Sequence, residues 1–312
     1  MSPTLTDAPG AIVLTWDDGL SATYPHLWLR DTDPAGFHPQ TGERDFDLLS
    51  VPATIAPEAA RIDGDALVLR WPGAGADSRF PLDWLRACRP GVPRPDLAAI
   101  PPVPWRGDIG AQGIPRADAG TVLRDDAALR DWLIAAKATG LSIVEGLQDD
   151  LEAGMAVARR VGFLRQTNFG TTFEVMSKPD PNNLAYTADA LPLHTDLTNQ
   201  PMPPGWQFLH CITNGATGGG SVFCDGVAVA QDFARDDPAG FALLRDTAVP
   251  FRFHDADTDI RARRPVIVAD GGAVSEICFN AHLADILDLP AGDLPAYYAA
   301  YRAFMARLRD PA

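Results

Sequence analysis

The sequence predicts a mainly β fold of the α+β class: a double-stranded β-helix, or jelly roll, with flanking helices, preceded by a small β-rich N-terminal domain. Three observations lead to this prediction. Many short apolar runs are separated by Gly, Pro and Asp turns, and amphipathic segments of helical period flank them. A stretch rich in proline also divides the chain into an N-terminal and a C-terminal part.

The N-terminal domain is predicted from two apolar, β-branched runs, Ala11 to Trp16 and Ala66 to Trp71, with turn-rich segments between them. Six prolines then fall between Arg89 and Arg106, which excludes a helix or a central strand there. We therefore predict a small domain over residues 1–92, a linker over residues 93–120 and a jelly-roll domain over residues 121–312.

Helices and strands alternate in the C-terminal part. Apolar side chains recur on one helical face in three segments: Asp125 to Gly140, Asp150 to Val161 and Asp293 to Arg309. A buried strand is predicted after the first helix, from Leu141 to Val144. The short strands of the jelly roll are predicted at Phe173–Met176, Leu184–Tyr186, Trp206–Thr213, Ser221–Cys224, Phe251–Phe253, Pro265–Val268 and Glu276–Phe279.

Composition restricts the class of partner. The 312 residues include 26 basic and 41 acidic side chains, a net charge of −15, which repels nucleic acid and anionic membranes and favours a cationic ligand. The four cysteines are scattered and form no disulfide-like pattern, and the N-terminus lacks the basic and apolar parts of a signal peptide. We therefore expect a cytoplasmic protein with no nucleic-acid or membrane partner.

The stretch LHTDLTNQ holds a His-x-Asp pair, His194 and Asp196. Residues two apart in an extended strand point to the same face, so this imidazole and carboxylate could hold one metal ion, and in a jelly roll such a pair suits non-haem Fe(II). Chance alone would give about one such pair in a chain of this composition. A histidine hydrogen-bonded to a nearby carboxylate is therefore the alternative. A zinc hydrolase is a weaker one, because no His-Glu-x-x-His helix is present.

A longer stretch carries a more specific pattern. Residues Asn182 to Gly226 read NNLAYTADALPLHTDLTNQPMPPGWQFLHCITNGATGGGSVFCDG, with Leu-His-Thr-Asp, Pro-Pro-Gly, Leu-His-Cys and Thr-Gly-Gly-Gly-Ser in order. This resembles the gamma-butyrobetaine dioxygenase-like family, in the taurine-dioxygenase-like group of Fe(II)/2-oxoglutarate oxygenases. Tyr24 to Leu49 resembles the small N-terminal domain of the same enzymes, so the resemblance runs nearly end to end.

The resemblance implies roles for eight residues. Two would be metal ligands, two would line the 2-oxoglutarate site, three would form an aromatic cage for a trimethylammonium group, and one would face the anionic end of the substrate. In that order they are His194 and Asp196; Leu209 and Ser221; Phe169, Phe173 and Tyr186; and Asn183. The alternatives are a core role for Leu209 and the aromatic residues, and a turn role for Asn183.

The family further implies an enzyme that uses Fe(II), 2-oxoglutarate and O2, with ascorbate stimulatory, to hydroxylate a small trimethylammonium substrate. Gamma-butyrobetaine, trimethyllysine and 2-(trimethylamino)ethylphosphonate are the candidate substrates, and a homodimer is possible. The alternative is a truncated form or pseudoenzyme that binds a betaine or a partner chain without turnover.

The sequence departs from the family in three places. Where eukaryotic relatives place zinc-binding cysteines, after Trp-Leu-Arg-Asp, this chain reads TDPAGFHP, so no structural zinc is expected. Ala284 stands where relatives commonly have arginine, which leaves recognition of the substrate's far end open. In the family, two further strands follow the last helix and bring a distal histidine ligand and an arginine that binds 2-oxoglutarate.

This sequence ends at Ala312, before either of those two residues. We therefore expect the C-terminal strands of the jelly roll to be missing, either because the chain is truncated or because a partner chain supplies them. Among the other histidines, His210, His254 and His282, the last is the best substitute for the distal ligand.

Overall fold

The computed structural model describes residues 3–177, 179–181, 184–187, 189–213, 217–218 and 220–310. The chain divides into two compact units, Met1–Ala99 and Ile100–Ala312. The domain boundaries predicted from the sequence, after residues 92 and 120, stay predictions.

The first unit consists of two antiparallel three-stranded sheets, each followed by a short helix. The first sheet contains β1 (Thr4–Ala8), β2 (Ala11–Thr15) and β3 (Ser21–Pro25), and leads into α1 (His26–Asp31). The second contains β4 (Ala59–Asp63), β5 (Ala66–Arg70) and β6 (Ser78–Pro81), and leads into α2 (Leu82–Ala87). The two predicted apolar runs are the central strands β2 and β5, because a central strand is buried on most of its surface.

A buried polar network lies beside the core of this unit. The Asp33 carboxylate is 2% exposed and accepts hydrogen bonds from the Ser78 hydroxyl and the Ala35 N–H. Ser78 Oγ in turn accepts one from Trp71 Nε1 at 3.0 Å. Arg30 Nη1 lies 3.3 Å from Asp33 Oδ2, so the buried carboxylate has a cationic neighbour.

The second unit begins with helices around one parallel strand pair. Its first half contains α3 (Ile109–Gln112), β7 (Arg116–Asp118), α4 (Ala119–Arg124), α5 (Asp126–Thr139), β8 (Ile143–Glu145) and α6 (Leu151–Val161). Strands β7 and β8 pair in parallel. The predicted helix over Asp125 to Gly140 is confirmed as α5: Asp125 accepts hydrogen bonds from the N–H groups of Ala127 and Ala128, and Gly140 ends the helix at φ 69°.

The second half of this unit packs three helices against two hairpins. It contains α7 (Gly226–Asp236), α8 (Pro238–Asp246), β9 (Ala248–His254), β10 (Asp259–Pro265), β11 (Ile267–Asp270), β12 (Ala273–Ile277) and α9 (Leu294–Leu308). Strand β9 pairs with β10 and β11 with β12, both antiparallel. The core between them includes Phe233, Phe251 and Phe304, each at most 2% exposed.

Within the second unit, residues 103–105 of the proline-rich segment form hydrogen bonds with the end of α5 and with Asp225. Val103 N–H donates to the Ala138 carbonyl at 2.7 Å, and Trp105 Nε1 donates to the Thr139 carbonyl at 2.7 Å. Trp105 N–H donates to Asp225, whose carboxylate also caps the start of α7. These bonds satisfy carbonyls of the last turn of α5 that have no partner within the helix.

Several predicted strands are wrong. Residues 173–176, 206–213 and 221–224 carry neither strand nor helix, and Leu184–Tyr186 is a short 3-10 helix. Many of their apolar side chains are exposed, including Val175 at 67% and Val222 at 77%. An apolar run identifies side chains that prefer burial, but a strand forms only where a neighbouring strand accepts its hydrogen bonds.

Helices α7 and α8 were not predicted, although Asp225 and Asp237 cap them. None of the helices in the ranges given above is both long and apolar enough to cross a bilayer.

Candidate functional site

His194 and Asp196 face each other at the start of a turn. His194 Nε2 lies 3.1 Å from Asp196 Oδ1, and both side chains are partly exposed, 26% and 43%. The other ring nitrogen, His194 Nδ1, lies 2.7 Å from the Pro192 carbonyl. A carbonyl only accepts, so Nδ1 carries a hydrogen and a neutral imidazole presents its lone pair at Nε2.

The spacing of these two atoms fits a shared metal ion. Two ligand atoms at adjacent corners of an octahedron with bonds of about 2.1 Å lie about 3.0 Å apart. The observed 3.1 Å between Nε2 and Oδ1 matches that edge. The Pro192 carbonyl holds the tautomer that a metal-binding histidine needs. The donor set of one imidazole and one carboxylate therefore fits Fe(II).

Each member of the pair stabilises the charged form of the other. The hydrogen bond to the Asp196 carboxylate raises the pKa of His194. The hydrogen bond from His194 lowers the pKa of the Asp196 carboxyl. A proton shared by the pair has to leave before Nε2 can bind a metal ion, because only the neutral imidazole is a ligand.

Thr195, between the two candidate ligands, anchors the segment to the residues that follow β12. Its N–H donates to the Phe279 carbonyl at 2.7 Å, and its hydroxyl accepts from the Phe279 N–H at 2.9 Å. The amide of Asn280 donates to the Thr195 carbonyl at 3.2 Å. The intervening residue therefore fixes the backbone from which both candidate ligands project.

The turn after Asp196 is strained and holds buried polar groups. Leu197 has φ 55°, and no other non-glycine residue in the described ranges has positive φ. Thr198 and Asn199 are each 1% exposed, and within the described residues the Thr198 hydroxyl and both amide atoms of Asn199 have no hydrogen-bond partner. Sequence reasoning missed these residues, because Thr and Asn in a turn are ordinarily exposed.

Among the described residues, no third candidate ligand joins the pair. His210 packs against α6, where its Nδ1 would lie 2.8 Å from a Cβ placed on Gly154. His254 ends β9, and His282 is exposed beyond β12. In the part of the chain that the structure describes, no group of three His, Cys, Asp or Glu side chains is arranged to hold a metal. His282, expected to be the best substitute for the distal ligand among these three histidines, belongs to no such group in that part of the chain.

Two of the predicted cage residues lie together. The rings of Phe169 and Phe173 have centroids 6.2 Å apart at 47°, and Phe173 is 45% exposed. The Phe169 ring also meets the buried ring of Phe253 edge to face, with centroids 5.1 Å apart. The third predicted residue, Tyr186, is 7% exposed in its 3-10 helix.

The remaining predicted site residues are Leu209, Ser221 and Asn183. Leu209, predicted to line the 2-oxoglutarate site, is 59% exposed, so its alternative as a core residue is wrong. Ser221 is also exposed. Asn183 lies outside the described residues.

Phe253 was not predicted as a site residue, although its strand was. Apolar residues at alternate positions of β9, Val249, Phe251 and Phe253, are the sequence signal that could have indicated a buried ring at residue 253.

Comparison with known proteins places this chain in a family. Residues 100–312 match the family described as "Taurine catabolism dioxygenase TauD, TfdA family", which implies a jelly-roll fold. The chain is 39% identical to the gamma-butyrobetaine dioxygenase of Pseudomonas sp. (strain AK-1) over 305 residues, which cover 96% of this chain and 79% of that protein.

Two further relatives come from vertebrates. The human gamma-butyrobetaine dioxygenase is 30% identical, over 96% of this chain and 79% of its own length. The mitochondrial trimethyllysine dioxygenase of Gallus gallus is 28% identical, over 92% and 71%. The family match covers most of the chain, and the first two relatives reach or exceed 30% identity over nearly all of it. The chain therefore belongs to the TauD/TfdA family and is a 2-oxoglutarate-dependent dioxygenase.

Proposed function

We propose that this chain hydroxylates a small trimethylammonium substrate of the gamma-butyrobetaine, trimethyllysine or 2-(trimethylamino)ethylphosphonate type, with Fe(II), 2-oxoglutarate and O2. The observation that carries the proposal is the Phe169–Phe173 ring pair, with one ring about half exposed. Relatives named for gamma-butyrobetaine and trimethyllysine support the same substrate class.

The ring pair suits a quaternary ammonium group because such a cation cannot donate hydrogen bonds. The faces of aromatic rings carry negative quadrupole charge and attract it by roughly 0.5 to 2 kcal/mol per ring. The rings of Phe169 and Phe173 are tilted by 47° rather than stacked flat. The net charge of −15 adds a long-range attraction for cations.

His194 and Asp196 would hold the iron, through Nε2 and the carboxylate. Bound Fe(II) and 2-oxoglutarate supply the oxidising chemistry that converts a substrate C–H bond and O2 into an alcohol, with 2-oxoglutarate released as succinate and CO2. The Pro192 carbonyl keeps the Nε2 lone pair available, and Thr195 keeps the backbone of both ligands in place. Leu209 and Ser221 would contact 2-oxoglutarate, and ascorbate would keep the iron reduced.

The substrate contacts are divided between the two ends of the molecule. Phe169, Phe173 and Tyr186 would hold the trimethylammonium head, and Asn183 would face the anionic end. We propose that the chain holds no structural zinc and that it forms a homodimer.

The test is turnover of the chain with each of the three betaines, in the presence of Fe(II), ascorbate and 2-oxoglutarate. We expect betaine-dependent succinate together with a hydroxylated product, and we expect both to be lost in His194→Ala. The variant Phe173→Leu should lower affinity for the betaine, whereas Phe163→Leu, a matched change at a 92% exposed ring in the same segment, should not.

Two other results would point elsewhere. Binding of a betaine without succinate would favour the second candidate, a betaine-binding protein without turnover. Equal loss of affinity for a betaine and for its tert-butyl isostere in Phe173→Leu would show that the ring supplies only apolar contact.

A further inference from the structure

We propose that Phe253 is a positioning residue for trimethylammonium recognition: its ring, fixed on β9, holds the ring of Phe169 in the orientation that presents its face to the cation. This inference deepens the proposed function and rests on it. Phe253 is buried and reaches the substrate only through Phe169.

Phe169 contacts both of the other rings. It meets Phe253 with centroids 5.1 Å apart and ring planes at 68°, an edge-to-face contact. It also meets Phe173 at 6.2 Å and 47°. Phe253 is 5% exposed and Phe173 is 45% exposed. Phe169 therefore connects a buried ring to an exposed one.

The backbone of Phe169 does not by itself fix its ring. The residue lies in a tight turn in which Thr167 and Gly170 exchange backbone hydrogen bonds of 3.0 Å. Phe169 N–H also donates to the Thr167 hydroxyl at 3.1 Å. These bonds hold the main chain, but rotation of the side chain is limited only by what packs against the ring.

Phe253 belongs to a rigid element. Strand β9 pairs with β10 over seven residues, and Phe253 lies opposite Ile260 in that ladder. Phe251, two residues earlier and on the same face, is part of the core packed by α7, α8 and α9, and Phe253 is outside that cluster. The strand thus directs one phenylalanine into the core and the next toward Phe169.

Ring orientation matters for a cation more than for a neutral group. Cation–π attraction depends on the ring face, whereas apolar contact depends mainly on the area covered. If Phe169 rotates, a trimethylammonium group loses its electrostatic attraction, and a tert-butyl group of the same shape loses little. Phe253 should therefore affect discrimination between the two more than affinity for the neutral group.

The experiment compares the dissociation constants of gamma-butyrobetaine and its neutral-headed isostere, 5,5-dimethylhexanoate, on the full chain by calorimetry. We expect Phe253→Leu to reduce the preference for the cation about threefold, as expected for losing part of one ring contact. Phe253→Tyr should restore it, because the aromatic ring is kept. The matched control, Phe251→Leu, should lower thermal stability and leave the preference unchanged.

A double variant shows whether Phe253 acts through Phe169. If it does, the preference in the combined Phe169→Leu and Phe253→Leu variant equals that of Phe169→Leu alone. The inference would be overturned if the losses of cation preference in the two single variants multiply in the double variant. It would also be overturned if Phe253→Leu keeps the wild-type preference for the cation. Phe253→Met provides the same comparison should the leucine variant fail to fold.

Failure of the proposed function gives a different pattern. A wild-type chain that binds both compounds equally well has no cation subsite, which overturns the substrate class and the positioning role together. If Phe169→Leu reduces the preference for the cation and Phe253→Leu leaves it unchanged, only the positioning role is overturned.

Discussion

At the scale of single residues, the Ser78 hydroxyl connects two buried polar groups. It donates to the buried Asp33 carboxylate and accepts from Trp71 Nε1, so it joins two groups that have little access to water. A buried charge that loses a hydrogen bond keeps the full cost of its desolvation.

We predict that Ser78→Ala lowers the free energy of unfolding by about 2 kcal/mol, because Asp33 and Trp71 each lose a partner. Urea denaturation of the two proteins would measure the change. Ser21→Ala is the matched control, since the Ser21 hydroxyl bonds Thr15 at an exposed position, and it should change the value by less than about 0.5 kcal/mol. Equal losses would contradict the prediction.

At this scale the sequence indicated candidate site residues but not the contacts around them. The spacing of His194 and Asp196 already implied that they could meet, and the structure places their ligand atoms 3.1 Å apart. The anchoring by Thr195 and the contact of Phe253 with Phe169 join residues 84 positions apart in the chain. No local pattern encodes such long-range contacts.

Among the elements, the β9–β10 hairpin depends on one carboxylate between two arginines. Asp259 accepts bidentate hydrogen bonds from Arg261 and from Arg252, and these two guanidinium groups hold its pKa well below the usual range. A carboxyl group with a depressed folded pKa stabilises the fold above its unfolded pKa of about 3.9. That contribution is lost as the pH falls toward the folded value.

We predict that Asp259→Asn destabilises the protein at pH 7 and that its difference from wild type shrinks as the pH falls below about 4, where the carboxyl of the unfolded wild-type chain takes up a proton while the folded one stays ionised. Chemical denaturation at a series of pH values would measure it. Asp257→Asn, at the exposed turn of the same hairpin, should give a small and constant difference. A difference for Asp259→Asn that grows on acidification would refute the assignment.

Helix α6 contains a glycine, Gly154, that lies against the ring of His210. In an exposed helix, Gly→Ala stabilises by about 1 kcal/mol, but a Cβ on Gly154 would lie 2.8 Å from His210 Nδ1 and 3.2 Å from its Cγ. We therefore predict that Gly154→Ala destabilises the protein, by about 1 to 3 kcal/mol, as overpacking does. Thermal unfolding would show it.

The partner residue supplies the control for this prediction. In a His210→Ala background the ring is gone, so Gly154→Ala should become neutral or stabilising. The same penalty in both backgrounds would show that His210 is not its cause.

The three predicted helices form, whereas four of the predicted strands do not, for a physical reason. The hydrogen bonds and caps of α5 are local, and Asp125 and Gly140 indicated both of its ends. A strand needs a partner elsewhere in the chain, so the apolar runs at 206–213 and 221–224 indicated burial without specifying what would pair with them.

For the whole molecule, the division into two units carries a consequence for folding. Every member of the first unit's core cluster lies between Leu5 and Leu85, and Tyr24 donates from within that core to the Leu85 carbonyl at 2.8 Å. A chain segment with its own closed core can fold without the rest.

We predict that residues 1–99 alone unfold cooperatively on heating, followed by near-ultraviolet circular dichroism of the tryptophans. Tyr24→Phe should lower the stability of this fragment by about 1 kcal/mol through the lost hydrogen bond. A gradual, non-cooperative transition in the wild-type fragment would show that the unit depends on the remainder of the chain.

Composition predicted a linker at the proline-rich segment but not what that segment contacts. Composition identifies a stretch that cannot form a helix or a central strand, but not the surface on which it lies. That surface is made by the carbonyls of α5 and the carboxylate of Asp225.

The hydrogen bonds of the proline-rich segment to α5 and Asp225 should slow the exchange of its amide hydrogens. Prolines leave an unfolded chain fewer conformations to lose, so fixing residues 101–105 costs less entropy than fixing an ordinary loop of that length. The amide hydrogens of Val103 and Trp105 are both donated to acceptors. Although Val103 is more than half exposed, these amides should exchange with deuterated solvent as slowly as those of the helices they join.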